Sequence, residues 1–269
     1  MSTRLTVSST SWVTPVIRRL HFRAEDLSAF AGSASTDRYV KIIFRKPGVS
    51  YPDPLDVRAL RGVLPPEQMP DVRTYTALFP DVEAGTVAID FVIHGDEGIA
   101  GPWAARAEIG DELLVSGPGG AYHPDPAADW HLLVGDESAV PAIIAALDAL
   151  PRDATARVVV LVDGAEHEPD LPIPDGGAVT YVHRNRADGQ TDGDGALVSA
   201  VRELTWPDGR VHAFVHGEAQ EVMHGLRPYL LKERGLARDQ LSISGYWRRG
   251  RTEDSFRVWK SELARAEEQ

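Results

Sequence analysis

The chain has 269 residues, 43% hydrophobic and 25% charged, with a formal charge of −12 from 28 basic and 40 acidic residues. That length suggests one large domain or two ordinary ones and is enough to bury a sizeable core. The acidic balance argues against bulk electrostatic binding to nucleic acid or anionic lipid, and the absence of cysteine excludes disulfides, thiolate-ligated iron–sulfur clusters and a cysteine nucleophile. No run reaches membrane-spanning length and the N-terminus shows no long apolar segment, so the sequence reads as cytoplasmic, without membrane insertion.

Taken in chain order, residues from about Leu5 to Tyr122 read as all-β. The runs YVKIIF, TVAIDFVIH and ELLVSG are short, rich in β-branched and aromatic residues, and separated by Gly, Pro and Asp turns, which suggests a small barrel. Only GPWAARAEIG, from Gly101 to Gly110, has room for a helical turn or two. Between the first two runs lies Arg73-Thr74-Tyr75-Thr76. In a strand Arg73 and Tyr75 share a face. Arginine offers a planar fork of donors suited to phosphate oxygens, tyrosine a flat stacking surface, and Thr76 a hydroxyl or backbone N–H for a ring nitrogen. That set suits a flavin nucleotide, although on the tetrapeptide alone an ordinary exposed strand is the stronger reading. The small residues from Gly98 to Ala104 would let backbone N–H groups approach a phosphate; taken alone, they read better as a Gly-Pro turn, and His94 as a satisfied core or turn histidine.

The pattern changes at HPDPAAD, His123 to Asp129. WHLLVGDESAVPAIIAALDAL reads as a buried strand, a polar turn and an apolar helix; ARVVVLVDG and AVTYVHR as strands; GALVSAVREL as a helix. VHAFVHGEAQEVMHGLRPYLLKERG repeats strand, turn and helix, and QLSISGYW is a last strand. Strands alternating with helices argue for a parallel sheet, whose ligands lie outside the carboxyl ends of the strands. Two strand ends there have unusual punctuation: Gly135-Asp136-Glu137-Ser138 and His216-Gly217-Glu218. The first is not GxGxxG, yet it offers a helix start to a pyrophosphate. Its two carboxylates must point away, cap the helix or bond ribose hydroxyls. GYWRRGR, Gly245 to Arg251, is a local cationic cluster with Trp247 beside it, and the tail beyond reads as a charged helix.

In order and spacing, TPVIRRLHF, YVKIIF, RTYT, IDFVIHG, WAARAEIGDELLVSGPGG, WHLLVGDESAVPAI, VHGEAQEV and LSISGYWRRG resemble the siderophore-interacting protein family, FAD-containing ferric-siderophore reductases of the ferredoxin-reductase-like superfamily. The resemblance implies a β plus α/β architecture. A six-stranded antiparallel β-barrel binding FAD would occupy residues 1–126. A parallel-sheet α/β domain binding NADH or NADPH would follow over 127–247, and a charged helical tail over 248–269. It implies that Arg73, Tyr75 and Thr76 hold the flavin and its phosphates, with Phe91, Val92 and His94, and Ala100, Trp103 and Ala104, completing that site. Gly135, Asp136, Glu137, Ser138, Gly217 and Glu218 match segments facing the nicotinamide coenzyme. Family members often carry Ser and Arg where this chain has Gly101 and Pro102; backbone contacts survive there, except that Pro102 has no N–H. Asp163 ends the second α/β strand, where an acid bonds ribose hydroxyls and favours NADH; His183-Arg184, ending the third, would favour NADPH. Trp247 is expected as a lid over flavin or nicotinamide, and Lys41, Arg248 and Arg251 as the cations receiving an anionic ferric siderophore. The implied activity is reduction of siderophore-bound Fe(III) by a monomeric, flavin-mediated enzyme with no catalytic side chain. A general flavin or ferric reductase of the same superfamily and a non-catalytic ferric-siderophore carrier are the alternatives.

Overall fold

The computed structural model describes residues 2–96, 98–184, 195–251 and 256. The helical tail expected over 248–269 lies outside the described residues, apart from 248–251 and Phe256. The chain divides into two compact units, Met1–His123 and Pro124–Gln269.

The first unit is built on antiparallel strands. β1 (Thr3–Thr14) and β2 (Ile17–Arg23) form a hairpin, its turn tied by Thr14 Oγ1, which accepts from the Ile17 N–H at 3.1 Å. With β3 (Tyr39–Phe44), β4 (Asp71–Thr76), β5 (Leu78–Asp81), β6 (Thr86–Val92) and β7 (Glu112–Gly119) they pair in the order β4-β3-β7-β1-β2-β6-β5. This is seven strands where the resemblance implies six. The difference lies in one segment: β4 and β5, the two edges of the sheet, are separated only by Ala77, whose N–H is held by the Arg38 carbonyl at 2.8 Å. The first half of that segment pairs with β3 and the second with β6, so the sheet winds round towards its own start. A bulge in β5, with Phe79 at φ 49°, makes the bend.

Period-two alternation gives the sheet one apolar face. Leu5 and Val7, Leu20 and Phe22, Val40 and Ile42, Val87, Ile89 and Phe91, and Leu113 and Val115 gather there in one buried core. Each such side chain contributes about 1.5–3 kcal/mol on leaving water. Against this core lies the helix α1 (Ala100–Arg106), burying Ala100, Pro102 and Ala104. Its C-terminal carbonyls have few intrahelical donors; the Ala104 carbonyl accepts from the Ala107 N–H at 3.4 Å. Arg18 of β2 adds to them, donating to the carbonyls of Ala104 (2.8 Å), Ala105 and Ala107 (3.0 Å).

The second unit is a five-stranded parallel sheet of β8 (Trp130–Asp136), β9 (Ala156–Val162), β10 (Ala178–His183), β11 (Val211–Glu218) and β12 (Leu241–Trp247), in the order β10-β9-β8-β11-β12. Every residue of β8 and β11 is buried, which is why both read as near-continuous apolar runs. The helices α2 (Val140–Asp148) and α3 (Ala196–Glu203) accompany the sheet, with π-wound segments over Gln220–Leu226 and Tyr229–Glu233. The chain goes from β8 outward to β9 and β10, then returns to the other side of β8. The order therefore reverses between β8 and β11, and a crevice outside their carboxyl ends is where such sheets receive ligands.

Candidate cofactor sites

In the first unit, strand register places Tyr75 opposite Val40 and Arg73 opposite Ile42, so both leave β4 on the apolar face. Tyr75 rests on Phe91, with ring centroids 4.7 Å apart and planes at 37°. Phe91 meets Trp103 at 6.0 Å, and Trp103 meets Phe44 at 6.3 Å. Four elements thus contribute one aromatic row. Phe91 is fully buried and acts as the support; Tyr75 and Trp103 are half-buried and retain accessible surface. A flavin needs a flat wall, a cation for its phosphates and backbone donors. Tyr75 would supply the wall, and Arg73, two residues along the same face, the cation; the first turn of α1 would offer N–H groups without intrahelical acceptors. The residues present fit FAD. Gly101 lets α1 approach the end of β6, since a Cβ there would lie 3.3 Å from the Val92 carbonyl oxygen.

In the second unit, the ends of β8, β11 and β12 are tied together by one carboxylate. Asp136 is 1% exposed. Its Oδ1 accepts from the backbone N–H and hydroxyl of Ser138, at 2.9 and 2.5 Å. Its Oδ2 accepts from the Glu218 N–H and the Trp247 indole N–H, both at 2.8 Å. Glu218 in turn accepts from the N–H groups of Gln220 and Glu221, capping the π-wound segment, and from the Arg249 N–H. Both neighbouring glycines are steric requirements. A Cβ on Gly135 would lie 2.4 Å from the Ala139 Cβ, and one on Gly217, at φ +149°, 2.9 Å from Asp136 Oδ2. Arg184 binds both oxygens of Glu137 and, at 2.9 Å, Asp163. Burial raises the Glu137 pKa against the opposing pull of Arg184. Burial alone would lower that of Arg184, but its bonds to Glu137 and Asp163 hold it above the ordinary value.

Two sequence profiles cover the chain. The siderophore-interacting FAD-binding domain matches residues 6–122, and the siderophore-interacting protein domain matches residues 128–250. The chain belongs to the siderophore-interacting protein family. An uncharacterized Mycobacterium tuberculosis relative is 48% identical over 270 residues, 97% of this chain and 95% of its own. The ferric vibriobactin reductase ViuB of Vibrio cholerae is 33% identical over 250 residues, 91% of this chain and 89% of its own. The crystal structure of the siderophore-interacting protein SipS from Aeromonas hydrophila has a TM-score of 0.79 at 27% identity, covering 98% of both chains. At lower identity the fold extends to ferredoxin reductases.

As a siderophore-interacting protein, the chain distributes the anticipated residues unevenly. Tyr75 and Trp103 come together with Phe91 in the aromatic row; Arg73 leaves β4 on the same face as Tyr75 and Thr76 on the other, while Val92 is half-buried at the end of β6 and His94, beyond it, is exposed. The side chains of Phe91, Ala100 and Ala104 are buried and serve as scaffold, so only their backbone can face a ligand. Asp136 is the linchpin described above: of the options open from sequence, the structure shows it capping and tying. Trp247 is anchored by that carboxylate. Lys41 pairs opposite Thr74 and is exposed, leaving β3 on the face away from Arg73 and Tyr75. Arg248 is half-buried, 3.4 Å from the Gln220 amide oxygen, and Arg251 is exposed. Sequence reading missed the α1 cap at Arg18, although the RR pair in TPVIRRLHF marked the position. It also missed Glu221, which accepts from the N–H groups of Gly195 and Leu197 at the start of α3. Among the described residues, no helix is long and apolar enough to cross a membrane.

Proposed function

We propose that the chain is an NAD(P)H-dependent flavoprotein that reduces Fe(III) held in a siderophore and so releases Fe(II), acting in the cytoplasm. One observation carries this reading. A barrel fitted for FAD and a parallel sheet with a dinucleotide-type switch point lie in one chain, and its relative across 91% of that chain is named a ferric vibriobactin reductase. An Escherichia coli relative named NADPH-dependent ferric-chelate reductase, 33% identical over 149 residues, supports the same chemistry. Bound FAD supplies the conversion of a two-electron donor into the single-electron steps that Fe(III) requires.

The chain's own residues bind and position. Tyr75 stacks against the flavin ring, Arg73 engages its phosphates, and Thr76 offers a hydroxyl or N–H to a ring nitrogen. Gly135 to Ser138 and Gly217-Glu218 line the coenzyme crevice through their backbone, because the side chains of Asp136 and Glu218 are engaged with the protein itself. Trp247, locked by Asp136, presents a fixed aromatic edge at the end of β12. Arg248 and Arg251 supply positive charge for an anionic chelate; a chelate meeting Lys41 does so away from the Tyr75 ring. Siderophores use hard oxygen donors that favour Fe(III), so reduction weakens the complex.

The test is anaerobic mixing of the FAD-loaded protein with NADH or NADPH and a ferric siderophore, with an Fe(II) chelator as trap. Flavin bleaching followed by trapped Fe(II) and flavin reoxidation is the expected result. Bleaching without Fe(II) would refute the iron substrate, and failure to retain added FAD would refute the flavoprotein reading itself.

A further inference from the structure

The carboxyl ends of β8, β9 and β10 carry a three-membered ion cluster. Arg184, following β10, reaches back to Glu137, following β8, and grips both its oxygens, Nη2 to Oε2 at 2.7 Å. Nη1 also donates to Asp163 Oδ1, following β9, at 2.9 Å. The cluster is shielded at one end and open at the other: side-chain exposure is 4% for Glu137, 17% for Arg184 and 35% for Asp163. Among the described residues, the two histidines near these strand ends face acids too. His183 Nε2 lies 2.8 Å from Glu168 Oε1, and His167 lies 3.9 Å from both Asp163 and Glu166.

We propose that the Glu137–Arg184–Asp163 cluster sets coenzyme choice: Asp163 accepts from the 2′-hydroxyl of an unphosphorylated adenosine ribose, and Glu137 withholds Arg184 from a 2′-phosphate, so the chain prefers NADH to NADPH. This rests on the coenzyme reading above and names its selectivity. An acid at the end of the second strand is placed to bond ribose hydroxyls. A 2′-phosphate brought there meets the charge of Asp163. Its natural partner, Arg184, already spends its fork on Glu137 and is freed only by leaving a buried carboxylate unpaired, which is strongly unfavourable. The arginine that would mark an NADPH site in the sequence is therefore neutralised by a residue 47 positions earlier.

Calorimetric titration of the FAD-loaded protein with NAD+ and NADP+ reads this directly, without turnover. Wild type is expected to bind NAD+ at least about tenfold more tightly. Glu137→Gln releases Arg184 and should shift the ratio towards NADP+ by about tenfold. Asp163→Asn, at a half-exposed position, should weaken NAD+ and strengthen NADP+; it decides the matter if Glu137→Gln lowers the melting temperature too far for titration. Equal or tighter NADP+ binding by wild type, or a ratio unchanged in the variants, would overturn the proposal while leaving the coenzyme site standing. No binding of either nucleotide would overturn both.

Discussion

Asp136→Asn changes one heavy atom, yet it should cost the second unit much of its stability. The carboxylate accepts four hydrogen bonds, two at each oxygen. An amide keeps one accepting oxygen and turns an NH2 group towards donors. The cheaper orientation keeps the Glu218 and Trp247 bonds and faces the NH2 to Ser138, whose hydroxyl can rotate to accept while its backbone N–H cannot. One orphaned N–H and the loss of charge from the two surviving bonds together amount to about 2–4 kcal/mol. Asp136→Ala also strands the Glu218 and Trp247 donors and should cost about 4–6 kcal/mol. Urea denaturation followed by far-ultraviolet circular dichroism measures both. If the Asn variant unfolds within about 1 kcal/mol of wild type but binds coenzyme poorly, the carboxylate is a ribose ligand and its linchpin role is refuted.

Gly217→Ala should resemble Asp136→Asn, because its Cβ would press on Asp136 Oδ2 at 2.9 Å; the two substitutions combined should fall well short of additive in the same denaturation experiment. Arg18→Ala removes the cap from α1 and should cost about 1–3 kcal/mol with reduced FAD retention after gel filtration; undiminished flavin content would separate the cap from the site. His131 is buried beside His212, and burial followed by that neighbour lowers its pKa from 6.5 to about 4. The unfolded chain therefore takes up this proton first as pH falls. Stability should decline between pH 6.5 and 4, by up to about 3 kcal/mol, and His131→Phe should flatten that slope in denaturation midpoints measured across the range.

Local pattern made the architecture legible. The alternating apolar positions of YVKIIF reflect burial chiefly on one face, and the near-continuous runs of TVAIDFV and WHLLVGD burial on two. The winding of the barrel was less visible, because the bend between β4 and β5 rests on a single residue, Ala77, and on a bulge inside β5. At the sites, the parity of Arg73 and Tyr75 followed from strand geometry. The role of Asp136 did not: its decisive contacts are with Glu218 and Trp247, 82 and 111 positions away, and nothing near Asp136 in the chain distinguishes a ribose ligand from a tie. The pairing of Glu137 with Arg184 was hidden for the same reason. Alternation with Ile42 placed Lys41 on the face away from the core, as the register shows, but says nothing of what it meets there.

The single residue at Ala77 also governs where the chain can change length. β4 is fixed in register against β3, and β5 against β6. One residue added or removed between them would turn either the Arg73–Tyr75 pair or Leu78 to the opposite face. Insertions and deletions should therefore be barred from residues 71–81 and should collect instead in the strand-free stretch between β3 and β4. Over evolutionary time the flavin wall is a ruler of fixed length, and family members should diverge in size around it rather than within it.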